Sequence, residues 1–243
     1  MIRIMTAERD VIISLLKLTQ AGPVSRALFT KSSRVTVEVV ERVLAKFEQL
    51  SLFHEYGGVI EVSPRQRVKI TTRALELGAD LEHVCRFLSW AEFEMIAAQA
   101  LEANGYRVIN NFRFKHGEKR REIDVLGLNE PLIICADCKH WRRGWGSAAA
   151  FKAVEAQVER TRALADALPR YLRKIGLEGW RVAALLPLVI SLLPGQHRLY
   201  NKVPIVPVLQ LQDFISEVPL ELDLLLQIDK KIEPHSGEID KFL

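Results

Sequence analysis

Three long apolar runs limit the folds that this chain can adopt. The runs cover residues 132–140, 182–193 and 203–211, and most of their length lacks the polar alternation that marks a half-exposed strand. Strands of this kind are buried on both faces, so helices must cover the sheet. We therefore predict a mixed α/β fold in which these runs are buried strands and residues 132–140 do not form an edge.

The composition is that of an ordinary globular protein, with 49% hydrophobic and 26% charged residues among 243. The net charge of +4 permits a polyanionic partner but does not require one. Three cysteines, an odd number, argue against a secreted disulfide-stabilised protein, and charged residues interrupt any apolar signal segment at the N-terminus. The most apolar run is shorter than the roughly 20 residues of a membrane-spanning helix. We therefore expect a cytoplasmic protein that does not enter a membrane.

The first 80 residues have the pattern of a small helical domain that ends in a hairpin. Apolar residues at helical spacing predict three helices, the second of which starts at Pro23. Two short β-type segments then flank Tyr56-Gly57-Gly58, which is typical of a hairpin. This order resembles the winged helix-turn-helix family over residues 8–78. The resemblance implies a domain at residues 1–80 that binds DNA or, alternatively, makes protein contacts such as those of a homodimer.

The charge pattern predicts only a weak contribution of this domain to DNA binding. The solvent face of its third helix carries nearly balanced charge, whereas a phosphate-binding face would be more basic. If the hairpin contacts DNA, Arg65 and Arg67 are its expected phosphate partners.

The rest of the chain predicts a larger α/β domain. Ser89 and Glu92 have the spacing of a capping box that starts a helix, and after Gly105 the periodicity changes to two, which predicts a three-stranded meander. The predicted segments are a linking helix at 81–89, the α/β domain at 90–218 and an unassigned amphipathic stretch and tail at 219–243. Within the domain we predict a helix from residue 90, a meander over 106–140, a helix at 147–168, strands at 182–193 and 203–211, and a short helix from Gln212.

Three acidic positions differ from their surroundings. Glu94 lies on the apolar side of a predicted helix, Asp124 lies in mid-strand where Asp is disfavoured, and Asp137 ends an apolar run. Asp137 and Lys139 share one face of their strand, and with Asp124 on the neighbouring strand they form a site for a hard cation. Each position also has a simpler interpretation: a boundary carboxylate at 94, a surface residue at 124, and a salt bridge between 137 and 139.

The order and spacing of these residues resemble the PD-(D/E)XK nuclease superfamily. Mrr-like restriction endonucleases and archaeal Holliday junction resolvases are the most similar members. The resemblance covers about residues 90–215 and rests on Phe93-Glu94, Gly105-Tyr106, Glu122-Ile123-Asp124-Val125 and Asp137-Cys138-Lys139. It implies a restriction endonuclease-like mixed sheet flanked by helices. Asp137 stands where Glu is more usual, a substitution that the family's own pattern includes.

The resemblance implies a role for each matched position in hydrolysis of DNA that depends on Mg²⁺ or Mn²⁺. Asp124 and Asp137 would hold the cation, with the backbone carbonyl of Cys138 as a further ligand. Lys139 would orient the attacking water and offset negative charge on the phosphate. Glu94 would hold a metal-bound water from the outer shell, and Gln157 would be a further polar helper.

Two basic clusters flank the acidic positions, with tryptophans interleaved, and this combination suits phosphate binding and base stacking. The residues expected to contact DNA are Arg113, Lys115, Lys119, Arg120, Arg121, His140, Trp141, Arg142 and Arg143. A solvated hairpin and a helix-flanking loop are the alternative interpretation. We therefore expect a DNA endonuclease in restriction or repair. The alternative function is a nucleic-acid-binding regulator or scaffold with an inactive nuclease fold.

Two further patterns near the acidic positions have weaker implications. Cys135 and Cys138 have CxxC spacing, but in a strand they point to opposite faces, which disfavours a zinc site or a disulfide. Glu122 shares a face with Asp124 and either borders the site or pairs with Arg120 or Lys119.

Overall fold

The structure is a computed structural model that describes residues 2–141 and 146–232, with only the backbone given for residues 2–5. The predicted DNA contacts Arg142 and Arg143 and the end of the predicted C-terminal tail lie outside the described residues.

The fold divides into two compact units whose boundary falls within one helix. The first unit ends at Ile96 and the second begins at Ala97. The predicted domain limits after residues 80, 89 and 218 stay predictions.

The first unit combines short helices with a small antiparallel sheet in the order β1-β3-β2. Its elements are α1 (Ile2–Leu18), β1 (Val24–Ser25), α2 (Arg26–Ser32), α3 (Val37–Gln49), β2 (His54–Tyr56), β3 (Val59–Glu61), α4 (Pro64–Glu76), α5 (Leu81–Cys85) and the start of α6 (Trp90–Ala103). The predicted hairpin is confirmed: Gly57 and Gly58 join β2 to β3 with φ of +56° and +74°, which glycine adopts without strain. Ile12, Phe29 and Phe47 are among the buried side chains of its core.

Three elements of the first unit differ from the sequence prediction. Pro23 does not open α2, because the strand β1 intervenes and Ser25 caps the helix by accepting a hydrogen bond from the Leu28 N–H. The predicted linking helix is α-helical only over α5, whose first turn Asp80 caps. The sequence analysis missed α4, although a capping box of Ser63 and Gln66 marks its start.

Arg67 is a buried structural residue of the first unit. Its Nε lies 2.6 Å from Glu92 Oε1, and it also donates to the carbonyls of Leu16 and Phe87. The prediction that Arg67 contacts phosphate is therefore wrong, because its guanidinium is 5% exposed and its donors are used inside the unit. The predicted capping box is confirmed, since Glu92 Oε2 accepts from the Ser89 N–H at 2.7 Å and Ser89 Oγ accepts from the Glu92 N–H.

The second unit is a mixed sheet flanked by helices, which confirms the predicted mixed α/β class. Beyond the rest of α6 its elements are β4 (Arg107–His116), β5 (Lys119–Asn129), β6 (Leu132–Lys139), α7 (Ser147–Ala167), β7 (Val182–Ser191), β8 (Leu199–Tyr200), β9 (Val203–Pro207), α8 (Leu211–Glu221) and β10 (Ile228–Lys231). The strand order is β4-β5-β6-β7-β9-β8, with β10 paired to β7. β4, β5 and β6 form the predicted antiparallel meander, whereas β6, β7 and β9 run parallel.

Helices cover the sheet closely. Leu164 and Leu168, at the end of α7 and just beyond it, belong to one buried cluster with Ile133 and Leu185 of β6 and β7. A side chain at Gly127 of β5 would place its Cβ about 3.1 Å from the Leu101 side chain of α6, so a larger residue there would push Leu101 aside. No helix of the described residues is both long and apolar enough to cross a membrane.

The predicted strand over residues 203–211 is wrong in its second half. β9 ends at Pro207, a 3-10 helix follows over Val208–Gln210, and α8 starts at Leu211. Apolar residues continue through this segment, but proline has no N–H with which to extend a strand pairing. The apolar run therefore predicted correctly that the segment is buried. It predicted the secondary structure correctly only up to Pro207.

We expect Arg67→Ala to lower the free energy of unfolding of the full chain by about 3–5 kcal/mol, because Glu92 would lose the partner of its buried charge. Urea unfolding followed by circular dichroism measures this change. Arg65→Ala is the matched control: its side chain is exposed, the charge change is the same, and the expected shift stays within about 0.5 kcal/mol. Equal stability of the two variants would contradict the structural role of Arg67.

Candidate active site

Asp137 is a buried carboxylate near the end of the apolar strand β6. Its side chain is in contact with two cations: Oδ2 lies 2.7 Å from Lys139 Nζ, and Oδ1 lies 2.5 Å from Arg160 Nη2. The residue is 1% exposed. Burying a carboxylate is costly unless it is paired, so these two cations account for its presence in the core.

β5 and β6 part at this position. Their ladder includes Val125 opposite Ala136 and stops before Asp124 and Asp137. The Cys138 N–H instead donates to Asp124 Oδ2 at 2.8 Å. The carboxylate of Asp124 therefore replaces a backbone acceptor where the strands separate.

The pairing is also interrupted on the other side of β5. Asn110 and Phe112 of β4 pair with Val125 and Ile123, so Asn111 lies opposite Asp124 outside the paired residues. Asn111 has φ of +52°, a left-handed conformation that is uncommon for a residue other than glycine. Strained backbone of this kind clusters at functional sites, and here it adjoins the carboxylate.

Burial raises the pKa of Asp124 above its usual range, and the nearby Asp137 adds to the rise. The hydrogen bond from Cys138 and the charges of Arg160 and Lys139 oppose the shift without cancelling it. The structure therefore brings together Asp124, Asp137 and Lys139, as the strand pattern predicted, and makes ionisation of Asp124 costly.

α7 brings two polar side chains to β6. Gln157 is fully buried, and its Nε2 donates to the carbonyl of Cys135 at 2.6 Å. Arg160, three residues later on the same side of the helix, reaches Asp137. The predicted helper Gln157 thus contacts β6 two residues before Asp137, and its role in chemistry stays a prediction.

Arg160 is a site residue that the sequence analysis missed. The buried residues of α7 include Val154 and Thr161, and Arg160 lies beside this stripe. An arginine beside such a stripe is usually solvated. The sequence signal that could have placed Arg160 near the site was its spacing of three from Gln157, which puts both residues on one side of the helix. Its role becomes visible only when α7 lies against the end of β6.

The two carboxylates fit a hard divalent cation that keeps part of its hydration. Asp137 Oδ2 is buried and forms an ion pair with Lys139 Nζ. Among the described residues it accepts no hydrogen bond of normal geometry, so this oxygen can accept one from a ligand or bind a cation. Within residues 2–141 and 146–232, no three His, Cys, Asp or Glu side chains are close enough to enclose a metal. Mg²⁺ often binds one or two carboxylates and completes its shell with water and phosphate oxygens, whereas structural zinc needs a closed protein site.

Cys135 of β6 is poorly suited to bind a metal. Burial raises the pKa of the Cys135 thiol to about 12, so it stays protonated and is a poor ligand. Cys138 is also buried and forms no disulfide, and its backbone lies opposite Ile190 in the ladder of β6 with β7. The predicted contribution of the Cys138 carbonyl to a metal site stays a prediction.

The hairpin of β4 and β5 carries five of the predicted DNA contacts, Arg113, Lys115, Lys119, Arg120 and Arg121. Arg113 lies opposite Glu122 in the ladder, and its Nε is 2.6 Å from Glu122 Oε2. Glu122 therefore pairs across the ladder with Arg113, and the predicted pairing with Arg120 or Lys119 is wrong. Arg121 pairs with Glu159 of α7 at 2.7 Å.

Three other predicted site residues stay predictions. Glu94 is half-buried in the part of α6 that belongs to the first unit. His140 and Trp141 follow β6 directly and are half-buried. Trp141 donates its backbone N–H to the carbonyl of Lys139 at 2.8 Å and packs against a buried cluster that includes Val154.

We expect Asp124→Asn to be at least as stable as the wild type at neutral pH. Because the folded pKa of Asp124 is raised, its ionisation cost is absent at low pH and fully present above that pKa. The Asn side chain keeps an acceptor for the Cys138 N–H. Urea unfolding at pH 7 and near pH 3 should show the advantage of the variant at neutral pH only. A variant less stable than the wild type at pH 7 would contradict this expectation. Asp229→Asn, at an exposed position, is the control and should leave stability unchanged at both pH values.

We expect Arg160→Gln to lower the free energy of unfolding by about 1–3 kcal/mol, because Asp137 Oδ1 would lose a charged partner while Lys139 remains. Arg162→Gln, on the exposed side of α7, is the matched control and should change stability by less than about 0.5 kcal/mol. Thermal unfolding of both variants gives the comparison. Identical curves would mean that Arg160 does not hold Asp137.

Residues 89–182 match the family profile of NERD, the nuclease-related domain. The matched segment is less than half of the chain and includes Asp124, Asp137, Lys139, Gln157 and Arg160. It is consistent with a nuclease superfamily.

Similar proteins supply no further functional description. An uncharacterised protein of Archaeoglobus fulgidus is 28% identical over 133 residues, which are 54% of this chain and 92% of that protein. The crystal structure of the protein of unknown function AF1548 matches 41% of this chain and 46% of its own at 16% identity and a TM-score of 0.26. Protein VC1899 from Vibrio cholerae matches 91% of this chain and 53% of its own at 13% identity and a TM-score of 0.38. The chain spans about half of either solved protein, and the nuclease-related function rests on the family match.

Proposed function

We propose that this chain is a Mg²⁺- or Mn²⁺-dependent DNA endonuclease of the PD-(D/E)XK type, acting in restriction or repair. The observation that carries the proposal is the pair of carboxylates, Asp124 and Asp137, where β5 and β6 part, with Lys139 on the same strand face as Asp137. The match of residues 89–182 to the nuclease-related domain supports phosphodiester chemistry over a purely structural ion cluster.

The donor set suits the demands of phosphodiester hydrolysis. The phosphate is anionic and repels a nucleophile, so positive charge must be concentrated beside it. When bound, a divalent cation lowers the pKa of water and neutralises phosphate oxygens. The chain supplies two carboxylates for that cation, the half-buried Asp124 and the buried Asp137.

Lys139 and Arg160 have different tasks in this proposal. Lys139 is 26% exposed at its side chain, so its ammonium can turn from Asp137 to a phosphate oxygen or to the attacking water. Arg160 reaches Asp137 Oδ1 from α7 and acts as a positioning residue that fixes this carboxylate. Gln157 fixes the same strand through the Cys135 carbonyl and thereby supports the geometry.

For the first unit we propose a winged helix-turn-helix module for targeting or dimerisation. Support comes from the order of two helices, α2 and α3, followed by the β2–β3 hairpin. Its basic charge is partly neutralised internally, since Arg26 pairs with both Glu41 and Glu55. We therefore assign most of the sequence-independent DNA affinity to the second unit.

We expect Asp137→Ala to reduce DNA cleavage by at least about 100-fold and to leave DNA binding intact or stronger. Loss of an outer-shell partner of a metal typically costs about 10–100-fold, and loss of a direct ligand costs more. The variant also removes a negative charge from a phosphate-binding site. Labelled linear, single-stranded and four-way-junction DNA, each with Mg²⁺, Mn²⁺ or EDTA, should be cut only with metal.

The exposed Asp229→Asn variant is the control and should cleave as the wild type does. Equal cleavage by wild type and Asp137→Ala would overturn the assignment of the site. DNA binding by a wild type that never cleaves would instead favour the inactive scaffold.

A further inference from the structure

Beside the basic hairpin lies a groove that the proposed chemistry does not use. Its volume is about 610 Å³, and one of its sides is the β4–β5 hairpin. The opposite side comes from the segment that follows α7, through Tyr171 and Lys174. We call it the hairpin groove, and its cationic lining consists of Arg113, Lys115, Arg120, Arg121 and Lys174.

Positive charge in the hairpin groove exceeds the charge of the carboxylates around it. Glu122 pairs with Arg113, and Glu159 pairs with Arg121. Among the described residues, no carboxylate lies within ion-pair distance of the other three cations, Lys115, Arg120 and Lys174. Concentrated like charges repel one another, and a polyanion relieves that repulsion.

The wall of the hairpin groove is held in place before any ligand arrives. The Lys115 N–H donates to the Tyr171 hydroxyl at 2.8 Å, and the Tyr171 ring packs edge-on against Phe112 and Phe114. Lys174 Nζ lies 5.1 Å and 5.6 Å from the ring centroids of Phe112 and Tyr171 and donates to the Arg113 carbonyl. These contacts fix Lys174 at the groove while its ammonium retains further donors for an anion.

The strand β5 sets the distance between the groove and the carboxylates. Arg120 and Arg121 precede Asp124 by four and three residues on the same strand, which corresponds to about 10–13 Å of extended chain. The part of the groove that Arg120 and Arg121 form is therefore near enough to the carboxylates for one continuous DNA backbone to contact both.

We propose that the hairpin groove binds the DNA backbone to one side of the bond that is cut. The proposal rests on the proposed endonuclease function for the position of the cut, but the binding itself does not need cleavage. The groove sets the length of DNA required on that side and assigns Tyr171 and Lys174 to the binding surface. The ligand is the phosphate backbone, so no base sequence is preferred.

The binding test compares Lys115→Gln/Lys174→Gln with Arg162→Gln/Lys231→Gln, a matched pair that removes two exposed cations elsewhere on the second unit. Fluorescence anisotropy of a labelled 30-base-pair duplex in EDTA gives the affinity at two salt concentrations. Two lost phosphate contacts reduce the salt slope by about 2, so between about 50 and 200 mM salt the wild type should lose about tenfold more affinity than the groove variant. The control should keep the slope of the wild type, and Lys174→Arg should retain affinity.

The position test uses DNA in which single phosphates are replaced by neutral methylphosphonates. Cleavage by the wild type should slow when a neutral phosphate lies at particular positions to one side of the cut, and the groove variant should be insensitive to the same changes. An unchanged salt slope of the groove variant would overturn the groove proposal even if Asp137→Ala abolishes cleavage. A reduced slope in a protein that never cleaves would uphold the groove and overturn the endonuclease function. The single variant Lys115→Gln changes an exposed side chain and should fold as the wild type does. It should reduce the salt slope by about 1, which misfolding would not explain.

Discussion

The ion pairs of Asp137 with Lys139 and Arg160 connect the parts of the second unit that form the candidate site. A carboxylate that is 1% exposed needs a charged partner, and the partner of Asp137 Oδ1 comes from α7. The helix must therefore lie against the end of β6. Gln157 reinforces this position through the carbonyl of Cys135, and the apolar side chains of α7 fill the remaining space over the sheet.

Several unfavourable features coincide at one position of β5. Asp124 has a raised pKa, its ladder with β6 has ended, and Asn111 opposite it has a left-handed backbone. The rest of the meander is regularly paired. Stable folds concentrate such costs where a function requires them, which is why the parting of β5 and β6 supports a binding site.

Two adjacent residues of α7 serve neighbouring surfaces. Glu159 pairs with Arg121 at the hairpin groove, and Arg160 pairs with Asp137 at the carboxylate site. The helix thereby sets the spacing between surplus positive charge and the acidic pair. A groove with surplus positive charge and a pair of carboxylates near it on the same strand together describe a surface suited to an extended polyanion.

The sequence by itself determined the features that depend on neighbouring residues. Strand parity placed Asp137 and Lys139 on one face, the capping pattern located the start of α6, and the change of periodicity after Gly105 gave the meander. Such signals act within a few residues along the chain, so packing elsewhere does not alter them.

Only the tertiary structure decided the partners of the long charged side chains and the ends of the buried runs. Arg67 was expected to contact phosphate but is buried and pairs with Glu92, whereas Arg160 was not expected at the site but pairs with Asp137. The apolar run after Val203 turns into helix at Leu211. A long side chain can reach solvent or a buried charge with equal ease, and burial makes apolar residues alike in helix and strand. The partners of the charged side chains and the ends of the buried runs therefore depend on which elements pack together, because desolvation and pairing involve atoms distant in sequence.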